Sequence, residues 1–312
     1  MERDRLRQAG VRQVAPHHVK MGLVDFILNL AGILLWINWR SAAFDPLARA
    51  TPATLAGTLR RASSASTVKR WLFPIILVAL LFVRAVFYWQ IGAAVRWTAS
   101  VNLASISVSF RSDEFWRMLV FSVLSFGEML GIFFLWLLLL SLLQRSAVDT
   151  NPLQRMVRVH LGRLHRWPRW VKALLPFIAV TGIWWVLSWP LTRWDLLPPP
   201  VSGVHRIEQA LVVGLGSYLA WEYLIVTVLV LYLAGSYVYF GNHPLWNYVN
   251  DVAHQFMWPI RWLPLRFGKI DFAPVVGIAL VFVLARLVEG HLALGPHWRI
   301  PGLRDLYQRL PL

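Results

Sequence analysis

Cysteine is absent from the 312-residue chain, and acidic residues are scarce. The missing thiols exclude disulfide bonds, thiolate catalysis and cysteine-ligated metal clusters. Only 15 Asp and Glu stand against 31 Lys and Arg, so the formal net charge is +16. The sequence also lacks a His-Glu-x-x-His spacing, a phosphate-binding glycine-rich loop and a Gly-x-Ser-x-Gly elbow. We therefore expect no enzyme activity, no bound metal and no cofactor.

Hydrophobic residues dominate what is present. They make up 57% of the chain, against 15% charged residues, and the mean hydropathy is +0.54. This composition is typical of a membrane protein. The positive charge then favours anionic lipid headgroups over nucleic acid as a partner, because no nucleic-acid-binding motif accompanies it. A membrane-protein partner or a second copy of the chain remains open.

Long apolar runs predict an all-α fold, a polytopic transmembrane helical bundle of about six spans. A helix needs about 20 apolar residues to cross the hydrocarbon core. A marginal run, residues 23–39, is shorter than the others and contains Asp25, Asn29 and Asn38. Five runs are clear, namely residues 71–90, 119–143, 173–191, 210–239 and 272–288.

The distribution of basic residues predicts the orientation of these spans. Taken together, the loops after runs 23–39, 119–143 and 210–239 contain more Lys and Arg than the other loops and the C-terminal tail, so we expect them to face the cytoplasm. The basic tail, residues 1–21, opposes this pattern. Either translation starts at Met21 or the first run does not cross. We expect a retained anchor, since no small-residue cleavage site follows that run.

A repeated pattern groups the runs into three helical hairpins. Each unit has a carboxylate in its first run, an x-Pro-Leu triplet after that run and a proline near the start of the second run. Proline suits the first turn of a helix and disfavours helix in the residue before it. The units are residues 22–95, 119–195 and 210–290, with external loops at 96–118 and 196–209 and a C-terminal tail at 291–312.

The first external loop has a pattern of its own. Residues 101–110 alternate serine with apolar side chains. This period of two is typical of a half-exposed strand or an extended loop.

Charged residues within the apolar runs form the first candidate site. A charge is costly in hydrocarbon and usually faces the bundle interior or a partner. In a hairpin the start of the first helix neighbours the end of the second, so each carboxylate approaches a late arginine. We predict three pairs, Asp25 with Arg84, Glu128 with Arg193, and Glu222 with Arg286. Structural ion pairs are the favoured hypothesis, and an ion or proton pathway is the alternative.

The connection of the second unit forms the second candidate site. Apolar residues recur there at helical spacing with arginines around them, which predicts an amphipathic helix lying in the membrane surface. We expect the arginines to bind anionic lipid or a partner. They are Arg155, Arg158, Arg163, Arg166 and Arg169.

Several motifs carry a family resemblance. The third unit contains His243-Pro244, Pro259-Ile260-Arg261 and Lys269-Ile270-Asp271-Phe272-Ala273-Pro274, and the second contains Asn151-Pro152. These resemble the YggT family of small bacterial membrane proteins. The repeat of that family has an Asn-Pro motif, a Pro-Ile-Arg element and a Gly-Ile-Asp-Phe-Ser-Pro-like entry into the next helix. His replaces Asn before Pro244 here, and Lys269 and Ala273 replace Gly and Ser.

The resemblance implies a multi-pass protein of the bacterial plasma (inner) membrane. It implies a role in membrane-complex assembly, envelope organisation or stress tolerance, and it supplies no catalytic residues. Our leading hypothesis is a non-enzymatic scaffold or assembly factor with cytoplasmic connections. The alternative is a small-solute or ion transporter or channel that uses Glu128, Glu222, Arg84 and Arg286.

Overall fold

The structure, a computed structural model, describes most of the chain in two compact units. Unit 1 contains the described residues of Met1–Val101 and Ser109–Leu130, and unit 2 those of Asn102–Val108 and Gly131–Leu312. Both units consist mainly of helix. The described residues are 15–44, 67–95, 97–103, 106–143, 152–238, 244–260, 262, 266–267, 270–290 and 302–309.

Unit 1 contains two long helices and the first half of a third. Helix α1 (Ala15–Phe44) packs along α2 (Thr67–Val95), and α3 (Phe115–Leu143) follows. Between α2 and α3, strands β1 (Thr98–Leu103) and β2 (Ile106–Arg111) form a two-stranded sheet. Exposed and buried residues alternate along both strands. The strand alternative for this loop is therefore correct, and the fold is not purely helical.

Among its described residues, unit 2 contains the second half of α3 and seven further α-helices. The helices are α4 (Pro152–Leu161), α5 (Arg169–Arg193), α6 (Gly203–Gly216), α7 (Ala220–Tyr237), α8 (Pro244–Phe256), α9 (Ala273–Glu289) and α10 (Leu303–Arg309). Two very short strands, β3 (Arg266–Phe267) and β4 (Ile270–Asp271), pair antiparallel ahead of α9.

Within unit 2, helix α7 packs against α9 and α8, and α5 lies chiefly along α6. Gly214 of α6 allows this close approach, because a Cβ there would lie 2.0 Å from Oγ1 of Thr181 and 3.0 Å from the carbonyl oxygen of Phe177. Small residues commonly permit such contacts between membrane helices.

The second prolines of the repeat occupy different helical positions. Pro274 lies in the first turn of α9, as predicted. Pro74 and Pro176 lie inside α2 and α5, each of which begins seven residues earlier. A proline two turns into a helix removes one backbone hydrogen bond, and neighbouring helices make this tolerable in membrane proteins. The prediction that these two prolines start their helices is wrong.

Among the residues that the structure describes, five helical segments are long and apolar enough to cross a membrane. They include the marginal first run, whereas α9 has 17 residues and is shorter than the usual span of about 20. At most 28% of the residues in any of the five apolar windows are buried, and many of the large apolar side chains along them are exposed. Such large exposed apolar surfaces mark contact with a membrane or a partner. The segments are Gly22–Arg40, Trp71–Gly92, Phe115–Leu143, Arg169–Arg193 and Gly203–Tyr237.

The segment Gly203–Tyr237 is interrupted by a short 3₁₀ turn at Ser217–Leu219. Indole N–H groups hold the start of α7 directly after the turn, because Trp221 donates to the carbonyl of Leu135 (3.1 Å) and Trp136 donates to that of Ala220 (2.8 Å). A 3₁₀ stretch between two α-helices redirects the chain. These hydrogen bonds fix the junction against α3 within unit 2.

Candidate functional site

Unit 1 contains a cluster of polar side chains in its helical core, which we call the buried polar cluster. Asp25 and Asn29 of α1, Arg84 and Tyr88 of α2, and Ser125 of α3 form it. The first two pairs are spaced four residues apart, which places each pair on one helix face. Arg84 is only 2% exposed and Tyr88 is fully buried. Each of the three helices therefore contributes to one site.

The carboxylate of Asp25 is the centre of this cluster. Its Oδ1 accepts hydrogen bonds from Nη2 of Arg84, with which it forms an ion pair, and from the hydroxyl of Tyr88 at 3.1 Å. Its Oδ2 accepts from Ser125 at 3.2 Å and from Nδ2 of Asn29 at 3.3 Å. An ionised carboxylate has about four acceptor sites. All four sites are therefore occupied by protein donors.

The other polar groups of the buried polar cluster also have nearly all of their hydrogen-bond donors and acceptors paired. Oγ of Ser125 also accepts from Arg84 at 2.8 Å and from Asn29 at 2.9 Å, and Nη1 of Arg84 donates to Oδ1 of Asn29 at 2.6 Å. The guanidinium lies 5.6 Å from the ring centres of both Tyr88 and Phe121. Nε of Arg84 has no hydrogen-bond partner among the described residues. Cation–π contact compensates part of that loss.

The other predicted intramembrane charges are placed differently. Glu128 is half-buried on α3 in unit 1, whereas Arg193 belongs to unit 2, and their pairing stays a prediction. Arg286 is exposed and forms its ion pair with Glu289, one turn further along α9, at 3.2 Å. Glu222 interacts electrostatically with both of these groups, without a salt bridge to Arg286.

The basic connection of the predicted second hairpin, which lies in compact unit 2, forms a second site. Val157 and Leu161 of α4 are buried and pack against Leu137 and Leu138 of α3. Helix α4 ends at Leu161, and Gly162 after it adopts a left-handed conformation with φ of 55°. A glycine after the last helical residue commonly ends a helix in this way. The predicted amphipathic helix is thus present, but its apolar face is covered by α3.

Beyond Gly162 the chain forms a 3₁₀ turn that bounds a cavity of about 610 Å³, which we call the basic pocket. Of the five predicted arginines, three line the pocket, and Arg169 is exposed outside it. The side chain of Arg155 lies outside the described residues. The lining residues are Arg158, Gly162, Arg163, His165 and Arg166.

A chain of polar contacts lies next to the basic pocket. Lys172 of α5 is only 6% exposed, and its Nζ donates to Oγ of Ser141 at 2.9 Å and to the carbonyl of Ser141 at 3.4 Å. Oγ of Ser141 lies 3.1 Å from Nδ1 of His165, which lines the pocket. A buried ammonium is therefore linked to the pocket wall through one serine and one histidine.

The motif residues of the predicted third hairpin lie at or near the ends of helices. Pro244 is the first residue of α8, and Pro259 lies in a 3₁₀ turn. The backbone of Asp271 lies opposite that of Arg266 in the strand pair β3 and β4. Pro152 likewise is the first residue of α4. Asn151, His243 and Arg261 lie outside the described residues. The motifs thus shape the backbone at the connections.

Sequence reasoning did not identify several members of these sites. Asn29 makes the first apolar run more polar and so argues against a membrane span. Its spacing of four from Asp25 nevertheless indicates a shared polar helix face. Nothing in the sequence pattern distinguished Ser125 and Ser141 from other serines. Lys172 lies at the start of an apolar run and reads as an interfacial charge. Three-dimensional packing alone brings these residues to their partners.

The class of protein follows from these structural features, because comparisons with known proteins give no match: no family model matches the chain, and no curated protein or solved structure is significantly similar to it. Within the described residues, no group of three His, Cys, Asp or Glu side chains could hold a metal ion. The five long apolar helical segments define a helical multi-pass membrane protein.

Proposed function

We propose that the protein is a non-enzymatic scaffold or assembly factor of YggT-like type in a bacterial inner membrane. In this proposal the basic connection faces the cytoplasm and binds anionic lipid headgroups or a membrane-protein partner. The observation that carries it is the packing of α4, whose apolar face lies on α3 and is followed by the exposed side chains of Arg163 and Arg166. Basic side chains that follow an interfacial helix are well placed to attract anionic headgroups.

The buried polar cluster supports a structural role. Every acceptor site of Asp25 is occupied, so a passing ion or proton would have to displace a protein donor. A transport site instead needs polar groups that can exchange partners. The ion pair therefore fits a group that holds α1 and α2 together better than a step in a pathway.

The motifs of the third unit support the family assignment within this proposal. Pro244 begins α8, and Pro274 lies in the first turn of α9. In the YggT-like repeat the corresponding prolines separate one helix from the next. Their positions fit a repeat in which prolines mark the starts of successive helices.

Lipid preference tests the proposal. The full chain is placed in nanodiscs of phosphatidylcholine alone or of phosphatidylcholine with phosphatidylglycerol, and the melting temperature is measured. We expect a higher melting temperature with phosphatidylglycerol, since a ligand that binds the folded state stabilises it. The difference should shrink at high salt, because salt screens charges. Equal melting temperatures in both lipids would contradict the proposal.

Single cysteines test the predicted orientation, and the cysteine-free chain makes each one unique. Trp262 lies in the third connection and is 80% exposed, and Asp113 is exposed in the turn before α3. In intact spheroplasts an impermeant thiol reagent should modify Asp113→Cys, and it should modify Trp262→Cys only after the membrane is opened. The reverse pattern would overturn the orientation.

One observation favours transport as a second candidate. Glu128 lies near the middle of α3, is half-buried and has no hydrogen-bond or ion-pair partner among the described residues. A carboxylate within a membrane span is by default a candidate for a proton or ion site. Proteoliposomes of wild type and Glu128→Gln at matched folded content separate the two functions. Proton or cation flux that is lost in Glu128→Gln would establish transport.

A further inference from the structure

The basic pocket has features of a discrete ligand site. Three guanidinium groups, from Arg158, Arg163 and Arg166, share one cavity of about 610 Å³ with His165. Binding cavities for small ligands usually have volumes of about 300–1,000 Å³. Such a concentration of positive charge in one concavity calls for an anionic ligand.

The surroundings make the pocket more positive and hold its wall in place. Lys172 donates to Ser141, and Ser141 contacts Nδ1 of His165. If the hydroxyl of Ser141 donates to Nδ1, the neutral imidazole carries its hydrogen on Nε2 and presents a donor there. The carboxylates described in unit 2 do not line the cavity. Every titratable group that the structure describes in the lining is thus a cation or a potential donor.

The shape of the ligand follows from the donors. Guanidinium groups bind phosphate oxygens in a planar, two-pronged geometry that ammonium groups cannot reproduce. The pocket follows directly on α4, which packs on the end of the membrane-crossing helix α3. The exposed indoles of Trp167 and Trp170 stand beside it, and indoles favour the boundary between headgroups and hydrocarbon. These indoles favour a pocket at the level of the lipid headgroups, where the phosphate groups within reach are those of lipids.

We propose that the basic pocket binds the phosphate group of an anionic phospholipid, and that this phosphate is coordinated by Arg158, Arg163 and Arg166 with His165. This inference rests on the proposed function and deepens it, because it assigns lipid binding to one site instead of the whole basic surface. Zwitterionic lipids bind poorly, since their cationic headgroup is repelled by three nearby arginines. The bound lipid fixes the connection between α3 and α5 at the membrane surface.

Binding of soluble short-chain lipids to the detergent-solubilised full chain tests the proposal. Dihexanoyl phosphatidylglycerol, dihexanoyl phosphatidylcholine and inorganic phosphate are titrated separately at physiological salt, and apparent affinity is taken from the rise in melting temperature. We expect binding of phosphatidylglycerol at least about tenfold tighter than of the other two probes. Inorganic phosphate that binds as tightly as phosphatidylglycerol would overturn the lipid as the ligand.

Two single variants with the same change in charge separate a pocket from a diffuse basic surface. Arg166→Gln removes a lining guanidinium, and Arg169→Gln removes an exposed one outside the pocket. We expect about a tenfold or greater loss of phosphatidylglycerol affinity in Arg166→Gln, because a charged hydrogen bond is lost. Arg169→Gln should lose less than about threefold, because Arg169 does not line the pocket and acts on the ligand only through a charge that salt screens. Since Arg166 is exposed, both variants should fold.

The conservative variant Arg166→Lys gives an independent measurement. It keeps the charge and removes the planar donor geometry, so we expect an affinity between those of wild type and Arg166→Gln. Equal losses in Arg166→Gln and Arg169→Gln would overturn the pocket and leave the proposed function intact. A wild-type protein without preference for phosphatidylglycerol over phosphatidylcholine would overturn both.

Discussion

The buried polar cluster predicts an unusual stability difference between single and double substitutions of its ion pair. Asp25→Asn keeps a hydrogen-bonding side chain but leaves the guanidinium of Arg84, which is 2% exposed, without a counter-charge. Removing one partner of a buried ion pair costs about 3–5 kcal/mol. Hydrogen bonds between membrane helices are worth about 0.6 kcal/mol on average and about 1.7 at most. A cost above about 2 kcal/mol must therefore come from the unpaired charge.

The double substitution separates charge from packing. Arg84→Met alone leaves the carboxylate of Asp25 with three donors and partial exposure, so we expect a smaller cost of about 1–3 kcal/mol. Asp25→Leu with Arg84→Met removes both charges, and apolar replacement of a buried pair is often nearly neutral. We expect the double variant to be more stable than Asp25→Asn alone.

Unfolding by sodium dodecyl sulfate in mixed micelles, followed by circular dichroism, measures these free energies. Arg286→Gln is the matched control, because it also removes an arginine from an ion pair, but from an exposed one. An exposed pair contributes about 0–1 kcal/mol. The reasoning is refuted if Asp25→Asn costs no more than Arg286→Gln, or if the double variant is no more stable than Asp25→Asn alone.

Three further predictions concern unit 2. Gly214→Ala should cost about 1–3 kcal/mol in the same unfolding assay, because its Cβ would collide with Thr181 and Phe177, whereas Gly182→Ala, with open space around it, should be neutral or stabilising. Burial raises the pKa of Tyr248 to about 12, so its stabilising contribution is complete below about pH 10 and is lost between pH 10 and 12. Tyr248→Phe should therefore reduce the fall in unfolding free energy over that range by about 1–3 kcal/mol, and an unchanged fall would be inconsistent with burial of the phenol. A charge reversal at Glu222 should destabilise the protein, and a second reversal at Arg286 should not restore its stability. The reason is that Arg286 forms its ion pair with Glu289. Full recovery of the melting temperature in the double variant would instead support the predicted pair of Glu222 with Arg286.

The sequence predicted the helical membrane fold because long apolar runs have few other stable arrangements in lipid. It also anticipated that Asp25 would approach Arg84, since two consecutive spans joined by a connection must return across the membrane. Prediction failed where helices choose among several neighbours. Nothing in the residues of α5 says that it packs along α6, because the close approach depends on the single glycine at 214.

The candidate sites were predictable to a smaller extent. The arginines of the connection could be found because charge and helical spacing are visible in the sequence. The pocket they form was not predictable, because it depends on the helix end at Gly162 and on the turn that follows. Its link to Lys172 joins residues 31 positions apart through Ser141. Such contacts arise from tertiary packing and leave no periodic signal.

The saturated carboxylate of Asp25 has a consequence for how the chain enters the membrane. Arginine near the centre of an inserting helix costs about 2.5–3.5 kcal/mol in insertion scales. Helix α2 carries that cost through Arg84, and the counter-charge that removes it is supplied by α1, which is synthesised earlier. Ser125 arrives last, with α3, and completes the donor set. Integration of α2 is thus coupled to the presence of α1, and the first three helices enter the bilayer as a cooperative group.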